Sequence, residues 1–507
     1  MPSRPDSPIL LGIDIGSSST KGVAVDAQGG LRARSRRPHG IDHPRSDWAE
    51  MDAERIWWRQ TCEVLRDLVL QLGSDASRVV GIGACSIGAS FVPVDQRGQA
   101  LRPAILYGID SRARDLIATI EARYGRDRLL TRSGRLPSTQ SVGLKLLWLI
   151  ENEPQVWTQT SRLLSPVGFV NERLCGQAAL DRHTALAWDP LFDAVRLDWD
   201  PERMRDLLGP CLPQLPRLAW PGDRLGVMRA DIARELGLPG GIAVACGTAD
   251  VLAESLGSGV RDEGDMMVMY GSTLFTLQRV GHFRAAAPLW PSVAWAADQP
   301  TLMTGTSNAG SVLSWFSQAL APGEDPAALY AAAAALAPGA DGLLCVPYLQ
   351  GERAPVADPI ARGLFLGMSP RHTRAHMLRA MLEGIAFGFS RILRQYAQAG
   401  ASPSQLFATG GGLQVPLWSQ LMADVTGRPQ FRARLPEGAA LGAAMLAAVA
   451  SGLSPSALDV PAAWAQPAGR VEPRDEGRER YARLTALQAE AYDRNAALMH
   501  QLVDLER

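Results

Sequence analysis

The chain has 507 residues, 46% hydrophobic and 20% charged, and its 51 basic and 52 acidic residues leave a formal charge of −1. That length asks for two sizeable domains, and the charge balance excludes a sequence-independent pull toward nucleic acid or an anionic membrane. No uninterrupted apolar run reaches the ~20 residues that span a bilayer. Residues 1–8 are polar and proline-rich, without the apolar stretch of a signal peptide, so a cytoplasmic protein is expected. The six cysteines, Cys62, Cys85, Cys175, Cys211, Cys246 and Cys345, include no Cys-x-x-Cys pair. Neither a thiolate metal site nor a disulfide framework is expected, and the thiols read as small apolar side chains of the interior.

In chain order, Ile9 to Ile15 is an apolar, β-prone run ending in Gly16-Ser17-Ser18-Ser19. Gly22 to Val25 reads as the return strand, and Asp26-Ala27-Gln28-Gly29-Gly30 as a hairpin turn into a third strand. Helical spacing covers Ala53 to Leu72 and Leu144 to Asn152, with short apolar strands at Val79 to Cys85 and Ile242 to Cys246. A domain boundary is expected near Gly257 to Gly264, where Gly, Ser and charged residues cluster. The strand–turn–strand unit then recurs, as Met266 to Tyr270, Gly271-Ser272-Thr273 and Leu274 to Leu277. The alanine-rich run Ala327 to Ala337 reads as a helix. Helical patterns follow at Ala375 to Tyr396, Pro416 to Thr426, the small-residue run Gly438 to Ala450, and Glu476 to Leu505, with Ser451 to Pro473 a Pro/Ala-rich loop.

The residues that carry chemistry begin at Gly12-Ile13-Asp14-Ile15-Gly16-Ser17-Ser18-Ser19-Thr20-Lys21. A tight Gly/Ser turn between two strands exposes successive N–H groups and hydroxyls suited to phosphate oxygens. Asp14 is placed to hold Mg²⁺, directly or through water, and Lys21 to offset phosphate charge. The pattern is neither a Walker A loop nor a dinucleotide fingerprint, and a plain structural hairpin fits it equally well. Asp250, in Gly247-Thr248-Ala249-Asp250, reads by itself as an N-cap for a helix starting at Val251. Gly410-Gly411-Gly412 by itself reads as a turn.

Longer segments change that reading. Gly363-Leu364-Phe365-Leu366-Gly367-Met368, seven further residues, and His376-Met377-Leu378-Arg379-Ala380-Met381-Leu382-Glu383 match the C-terminal signature of the FGGY carbohydrate kinases. Gly351 to Gly363 is similar to another stretch of that family. Lys145-Leu146-Leu147-Trp148-Leu149 resembles its N-terminal signature, with departures at Gln140 and Val142. The resemblance runs from about Leu11 to Ala450. It implies an α/β fold of two actin-like, ribonuclease-H-like domains, each with a mixed five-stranded sheet flanked by helices, and a cleft between them. The expected segments are 8–260 for the sugar site, first phosphate loop and base, 261–455 for the adenosine and second phosphate sites, and 456–507 for a linker and terminal helix.

The resemblance also implies roles residue by residue. Asp250 becomes the catalytic base of ATP-dependent phosphoryl transfer, with Mg²⁺ at Asp14. Gly16, Ser17, Ser18 and Lys21 form the first phosphate site, Ser272 the second, and Gly310 and Ser314 line the ribose and phosphates. Gly411 and Gln414 contact the adenosine. His376 reads as a helix-start residue, Arg353 and Asp358 as a bracing pair, and Trp48, Trp57 and Trp58 as packing and sugar-side wall. Leu101 to Tyr107, with Asp110-Ser111-Arg112, is similar to a segment of the xylulose kinases. Ile87, Gly88, Ala89 and Ser90 stand where those kinases commonly carry Gln-Met-His-Gly. Ile87, Gly88, Ala89, Tyr107, Asp110 and Asp250 are therefore the expected sugar contacts, and D-xylulose, giving D-xylulose 5-phosphate, is the expected substrate. Ribulose, glycerol, gluconate or a deoxy-ketose is the alternative, and a non-enzymatic actin-like nucleotide binder the rival of another class. The expected partners are the sugar and ATP, with no nucleic acid and no membrane, and a homodimer is left open.

Overall fold

Ile9–Ile15 (β1) is apolar at nearly every position and buried at all of them, as a strand covered on both faces must be. It anchors a mixed sheet in a computed structural model that describes residues 7–209, 215–282 and 289–505. Ser19–Asp26 (β2) returns antiparallel to β1, and Leu31–Pro38 (β3) pairs antiparallel with β2. On the other side Val79–Ser86 (β4) runs parallel to β1. Arg224–Val227 (β5) forms the edge, antiparallel to Ala243–Ala245 (β6), which is parallel to β4. The sheet order is β5-β6-β4-β1-β2-β3, and the two-residue strand Thr248–Ala249 also pairs with β4.

A second sheet repeats this plan. Asp265–Tyr270 (β7) pairs antiparallel with Leu274–Arg279 (β8), beside which lie Trp290–Val293 (β9) and Pro300–Gly305 (β10) in the order β9-β10-β8. Gln405–Thr409 (β11) is parallel to β7, Gln430–Arg432 (β12) parallel to β11, and Gly469–Val471 (β13) antiparallel to β12. The succession β2-β1-β4-β6-β5 thus has its counterpart in β8-β7-β11-β12-β13, with the same strand directions throughout. The two-domain mixed α/β fold is as the resemblance implied, but each sheet has seven strands rather than five. Beyond the five matched strands, the first sheet adds β3 and Thr248–Ala249, and the second adds β9 and β10.

Two compact units emerge. One gathers the described residues of 1–261, 291–301 and 437–466, and the other those of 262–290, 302–436 and 467–505. The segment 437–466 therefore joins the first unit, although sequence order set most of it in the second domain. Within the first unit the reason is steric. The helix Gly438–Ala450 is built almost wholly of small residues and lies directly on the sheet. A Cβ at Gly12 would stand 1.9 Å from the Ala440 carbonyl oxygen, and one at the register-paired Gly83 would stand 2.1 Å from that of Ala443. The same helix meets Asp250–Ser258, where a Cβ on Gly442 would come 1.9 Å from the Ala253 carbonyl oxygen.

In the second unit the helix Arg374–Gln398 is the central packing element, against Pro416–Thr426 and the terminal helix Arg478–Leu505. His376 closes a capping box at its start: the Thr373 N–H donates to His376 Nδ1 at 3.2 Å. Asp358 does not pair with Arg353. It accepts from Tyr492 Oη at 2.6 Å and lies 2.7 Å from His500 Nε2, while Arg353 donates to the Thr306 carbonyl at 2.7 Å. The brace thus runs to the C-terminal helix, whose residues no local pattern connects to Asp358. In the first unit Trp57 is fully buried against Phe169. The run Ser451 to Pro473, read as a loop, contains β13 and the short helix Ala462–Ala465. Among the described residues no helix is long and apolar enough to cross a membrane. The five described cysteines are free, and Cys211 lies outside the described residues.

The glycine contacts predict a sharp asymmetry between positions. Gly12→Ala must push a methyl group into backbone, an overpacking cost of about 3 kcal/mol. Gly388→Ala, where the added carbon meets nothing within 4 Å inside Arg374–Gln398, should be neutral or slightly stabilising. Urea denaturation midpoints of the two variants should fall on opposite sides of the parent value, or Gly388→Ala should match it; equal losses would refute the packing argument.

Candidate active site

The ladder of the first sheet assembles the chemistry. Asp14 sits near the end of β1 with Lys21 as its register partner on β2 and Cys85 on β4. Lys21 Nζ lies 3.2 Å from Asp14 Oδ2, and the Asp14 carboxylate raises the Lys21 ammonium above its ordinary value. Thr248 and Ala249 pair with Cys85 and Ser86, which carries Asp250 to the same end of the sheet as the first turn. Asp250 is the first residue of Asp250–Ser258; the cap position belongs to Ala249, and no side chain caps this helix. The N-cap reading of Asp250 therefore does not hold, although its Oδ1 does accept from the Val251 N–H at 2.8 Å.

Asp250 keeps a partly open surface, yet its carboxyl is pushed from 3.8 up to about 7. Burial is the main cause, followed by the negative charges of Asp14 and, more weakly, Glu254. A carboxylate so raised is poised to gain or lose a proton near neutrality. Glu254 and Cys85 are members of this cluster that sequence reasoning missed. The i, i+4 spacing from Asp250 was a usable signal for Glu254, since it puts both on one helix face. Cys85 Sγ lies 3.8 Å from Asp14 Oδ1 and 3.4 Å from the Ala439 carbonyl, and burial drives its thiol well upward, so it stays neutral.

The turn after β1 closes through a Gly16 N–H to Ser19 carbonyl bond of 3.1 Å. His39 braces it: its backbone N–H donates to the Ser18 carbonyl, and its Nε2 lies 2.9 Å from the Gly16 carbonyl. The amides of Ser17 and Ser18 make no backbone hydrogen bond among the described residues, and adjacent N–H donors of such a turn suit phosphate oxygens. Among the described residues Asp14 has one oxygen against Lys21 and the other against the Cys85 thiol. A single carboxylate of this kind suits Mg²⁺, which retains several waters and leans on substrate phosphates; no group of three acidic, His or Cys residues able to hold a metal occurs among the described residues.

The second unit holds the counterpart. Gly271 N–H donates to the Thr273 carbonyl at 3.0 Å, and the helix Gly310–Ala319 starts against this turn through Gly310 N–H to Gly271 and Ser311 N–H to Ser272 carbonyl bonds. Ser272 and Ser314 are both exposed. Gly410 and Gly412 are wedged against Tyr270 and Trp418, but a Cβ on Gly411 would meet nothing within 4 Å. Gly411 and Gln414 are exposed, an open shelf of the kind a flat base can approach.

The sugar-side residues divide. The Ile87 N–H donates to the Ile15 carbonyl at 3.1 Å, a Cβ on Gly88 would lie 3.2 Å from Ala249 Cβ, and Ala89 adopts a φ of 53°. The segment Ile87–Ala89 is thereby held beside the turns bearing Asp14 and Asp250. Asp110 is not free to read a sugar. It is fully buried, accepts from the Ala49 N–H at 2.7 Å, and takes a forked ion pair from Arg112, whose other partner is Glu50. Arg112 also lies over the rings of Trp48 and Trp148. Half-buried Tyr107 is shaped from beneath: Lys145, itself buried, donates to the Leu106 and Tyr107 carbonyls. Burial pushes the Lys145 ammonium down to about 7.

Residues 9–257 match the N-terminal domain of the FGGY family of carbohydrate kinases, and residues 268–451 its C-terminal domain. The chain is 29% identical over 502 residues to the xylulose kinase of Lactococcus lactis subsp. lactis (strain IL1403), covering 98% of each chain. It is 30% identical over 473 residues to the glycerol kinase of Bordetella parapertussis (strain 12822), covering 90% of this chain and 91% of that one. Among solved structures, xylulose kinase from Rhodospirillum rubrum superposes with a TM-score of 0.88 at 30% identity, over 97% of this chain and 100% of that one. With both domains matched in order, and Asp14, Lys21 and Asp250 gathered at one end of the first sheet, the chain belongs to the FGGY family of carbohydrate kinases, enzymes that use ATP and Mg²⁺.

Proposed function

We propose that this kinase phosphorylates D-xylulose to D-xylulose 5-phosphate, with Asp250 as the base. The observation that carries the chemistry is the Asp250 carboxyl, raised to about 7 beside Asp14. The substrate rests on near full-length similarity to xylulose kinases. When bound, ATP supplies the phosphoryl group and Mg²⁺ neutralises charge on it. Asp250 accepts the proton of the sugar hydroxyl as that oxygen forms its bond to phosphorus and the bond to the ADP oxygen breaks. Asp14 would hold Mg²⁺, directly or through water, Lys21 faces the phosphate charge, and the Ser17 and Ser18 amides orient phosphate oxygens. This division gives the sugar, first phosphate turn and base to the N-terminal half. Ser272, Gly310, Ser314, Gly411 and Gln414 serve the nucleotide from the C-terminal half. Ile87, Gly88, Ala89 and Tyr107 line the sugar; Asp110 shapes that wall from behind. The enzyme works in the cytoplasm, and a homodimer is the assembly to test.

A second reading, another polyol as acceptor, is favoured by the apolar Ile87–Ala89 segment and by the glycerol kinase relative. A site short of hydrogen-bond readers discriminates poorly among hydroxyl patterns. Coupled ADP assays on D-xylulose, D-ribulose, glycerol and D-gluconate separate the two: the highest kcat/KM on D-xylulose is expected, and a tenfold preference for another acceptor replaces it.

Asp250→Asn should lower kcat by about 10²- to 10⁴-fold with sugar affinity much less affected. In the parent enzyme kcat/KM should fall as pH drops below about 7, because the base becomes protonated. Stability follows the opposite sign. The folded-state value lies above the unfolded 3.8, so the folded protein holds this proton more tightly and loses stability as pH rises from about 4 to 7. Asp250→Asn abolishes that loss and should melt higher than the parent at pH 8, the gap closing toward pH 4. Turnover near the parent level refutes the base assignment.

Gly411→Trp should fill the open shelf and weaken ATP binding at least tenfold by calorimetry while sparing sugar binding. Unchanged ATP affinity would remove Gly411 from the adenosine site.

A further inference from the structure

Five arginines converge on a cavity of about 810 Å³ in the first unit that phosphoryl transfer does not use: Arg97, Arg162, Arg173, Arg217 and Arg229, against a single lining carboxylate, Glu172. Three of the five are already balanced. Arg162 forks onto Glu172 at 2.9 and 3.1 Å. Arg173 reaches Glu54 at 2.9 Å, and Arg229 pairs with Asp231 at 2.7 Å. Arg97 and Arg217 have no ion pair among the described residues. They come from separate elements, Arg97 from the turn Asp95–Gly98 and Arg217 from the strand Arg217–Ala219. Leu164 and Pro216 add apolar wall. A concave surface with uncompensated guanidinium groups focuses positive potential, guanidinium matches phosphate and carboxylate in shape, and the volume suits a small metabolite.

The walls of this cavity also hold the catalytic turn. The helix Pro166–Cys175, which supplies Glu172 and Arg173, sends Asn171 Nδ2 to the carbonyls of Ala245 and Cys246 at 3.1 and 2.9 Å. Arg217–Ala219 pairs in parallel with Ala179–Asp181, and Asp181 accepts from Thr248 Oγ1 at 2.8 Å, two residues before Asp250. We propose that the arginine-lined cavity binds a small organic molecule carrying two phosphate or carboxylate groups, and that occupancy is transmitted to the Asp250 turn through Asn171 and the Asp181–Thr248 bond. The site is then an effector site, coupled to catalysis by a shared wall and not by a shared ligand.

Calorimetry on the full chain tests it, with inorganic pyrophosphate as the phosphate probe and citrate as the carboxylate probe. At least one probe should bind the parent protein with a single site. Arg97→Ala/Arg217→Ala, at exposed positions where folding and basal turnover should be preserved, should weaken that site at least tenfold. Lys21→Met, in the first phosphate turn, should leave it intact. Binding of neither probe, binding unchanged in the double variant, or binding lost in Lys21→Met alone overturns the site. With free Mg²⁺ held constant, the bound probe should alter kcat of the parent enzyme and not of the double variant. An unaltered kcat at saturating probe overturns the transmission.

Discussion

The contact on which the proposed catalytic arrangement rests is the seating of Gly438–Ala450 on a bare patch of sheet. Gly12 on β1 and Gly83 on β4 are register partners, so their missing side chains leave one continuous hollow. A helix of alanines and glycines can enter it to backbone contact, and the same helix presses through Gly442 on Asp250–Ser258. Asp14 lies two residues beyond Gly12 and Cys85 two beyond Gly83, while Asp250 opens the helix that Gly442 touches. The separation between the two carboxylates is thereby set by close-packed backbone, which is stiffer than a contact between long side chains.

That rigidity has an electrostatic consequence. Asp14 and Glu254 bear on Asp250 from different elements, and Lys21 is engaged mainly by Asp14. Burial raises the proton affinity of Asp250 most, and repulsion that cannot relax by separating the chains adds to it, a basicity an isolated aspartate lacks. The neutral Cys85 thiol beside Asp14 keeps a further charge out of the cluster.

The strands and helices that carry these residues were legible because each has a strong local pattern. Ile9–Ile15, Pro416–Thr426 and Gly438–Ala450 begin and end where their composition changes. The edge strands were not, because pieces such as Gly469–Val471 exist only through their partner. The roles proposed for Asp14, Lys21 and Asp250 rest on motif context, and the structure gathers the three at one end of the first sheet. Asp110 was misassigned for an instructive reason: its place in a segment similar to xylulose kinases says nothing of which way the carboxylate points, and Arg112 two residues on claims it. Lys145, buried under the Leu106 and Tyr107 carbonyls, lay in plain view within a signature, but burial of an ammonium is a three-dimensional fact.

The correspondence between the two sheets extends to single positions. Aligning Gly16 with Gly271 puts Asp14 of β1 opposite Met269 of β7, and the register partners follow suit: Lys21 in one copy, Phe275 in the other. An ion pair in the first half is an apolar pair in the second. Once one copy of a repeated unit holds the charged machinery, the other is released from carrying it and can spend the same backbone turn on grip alone. The halves have become unequal in what they can tolerate. On the proposed roles, a substitution at the first turn would threaten reactivity, and one at the second only occupancy. Under selection for a new acceptor the C-terminal repeat can stay as it is while the N-terminal repeat changes around a fixed pair of carboxylates.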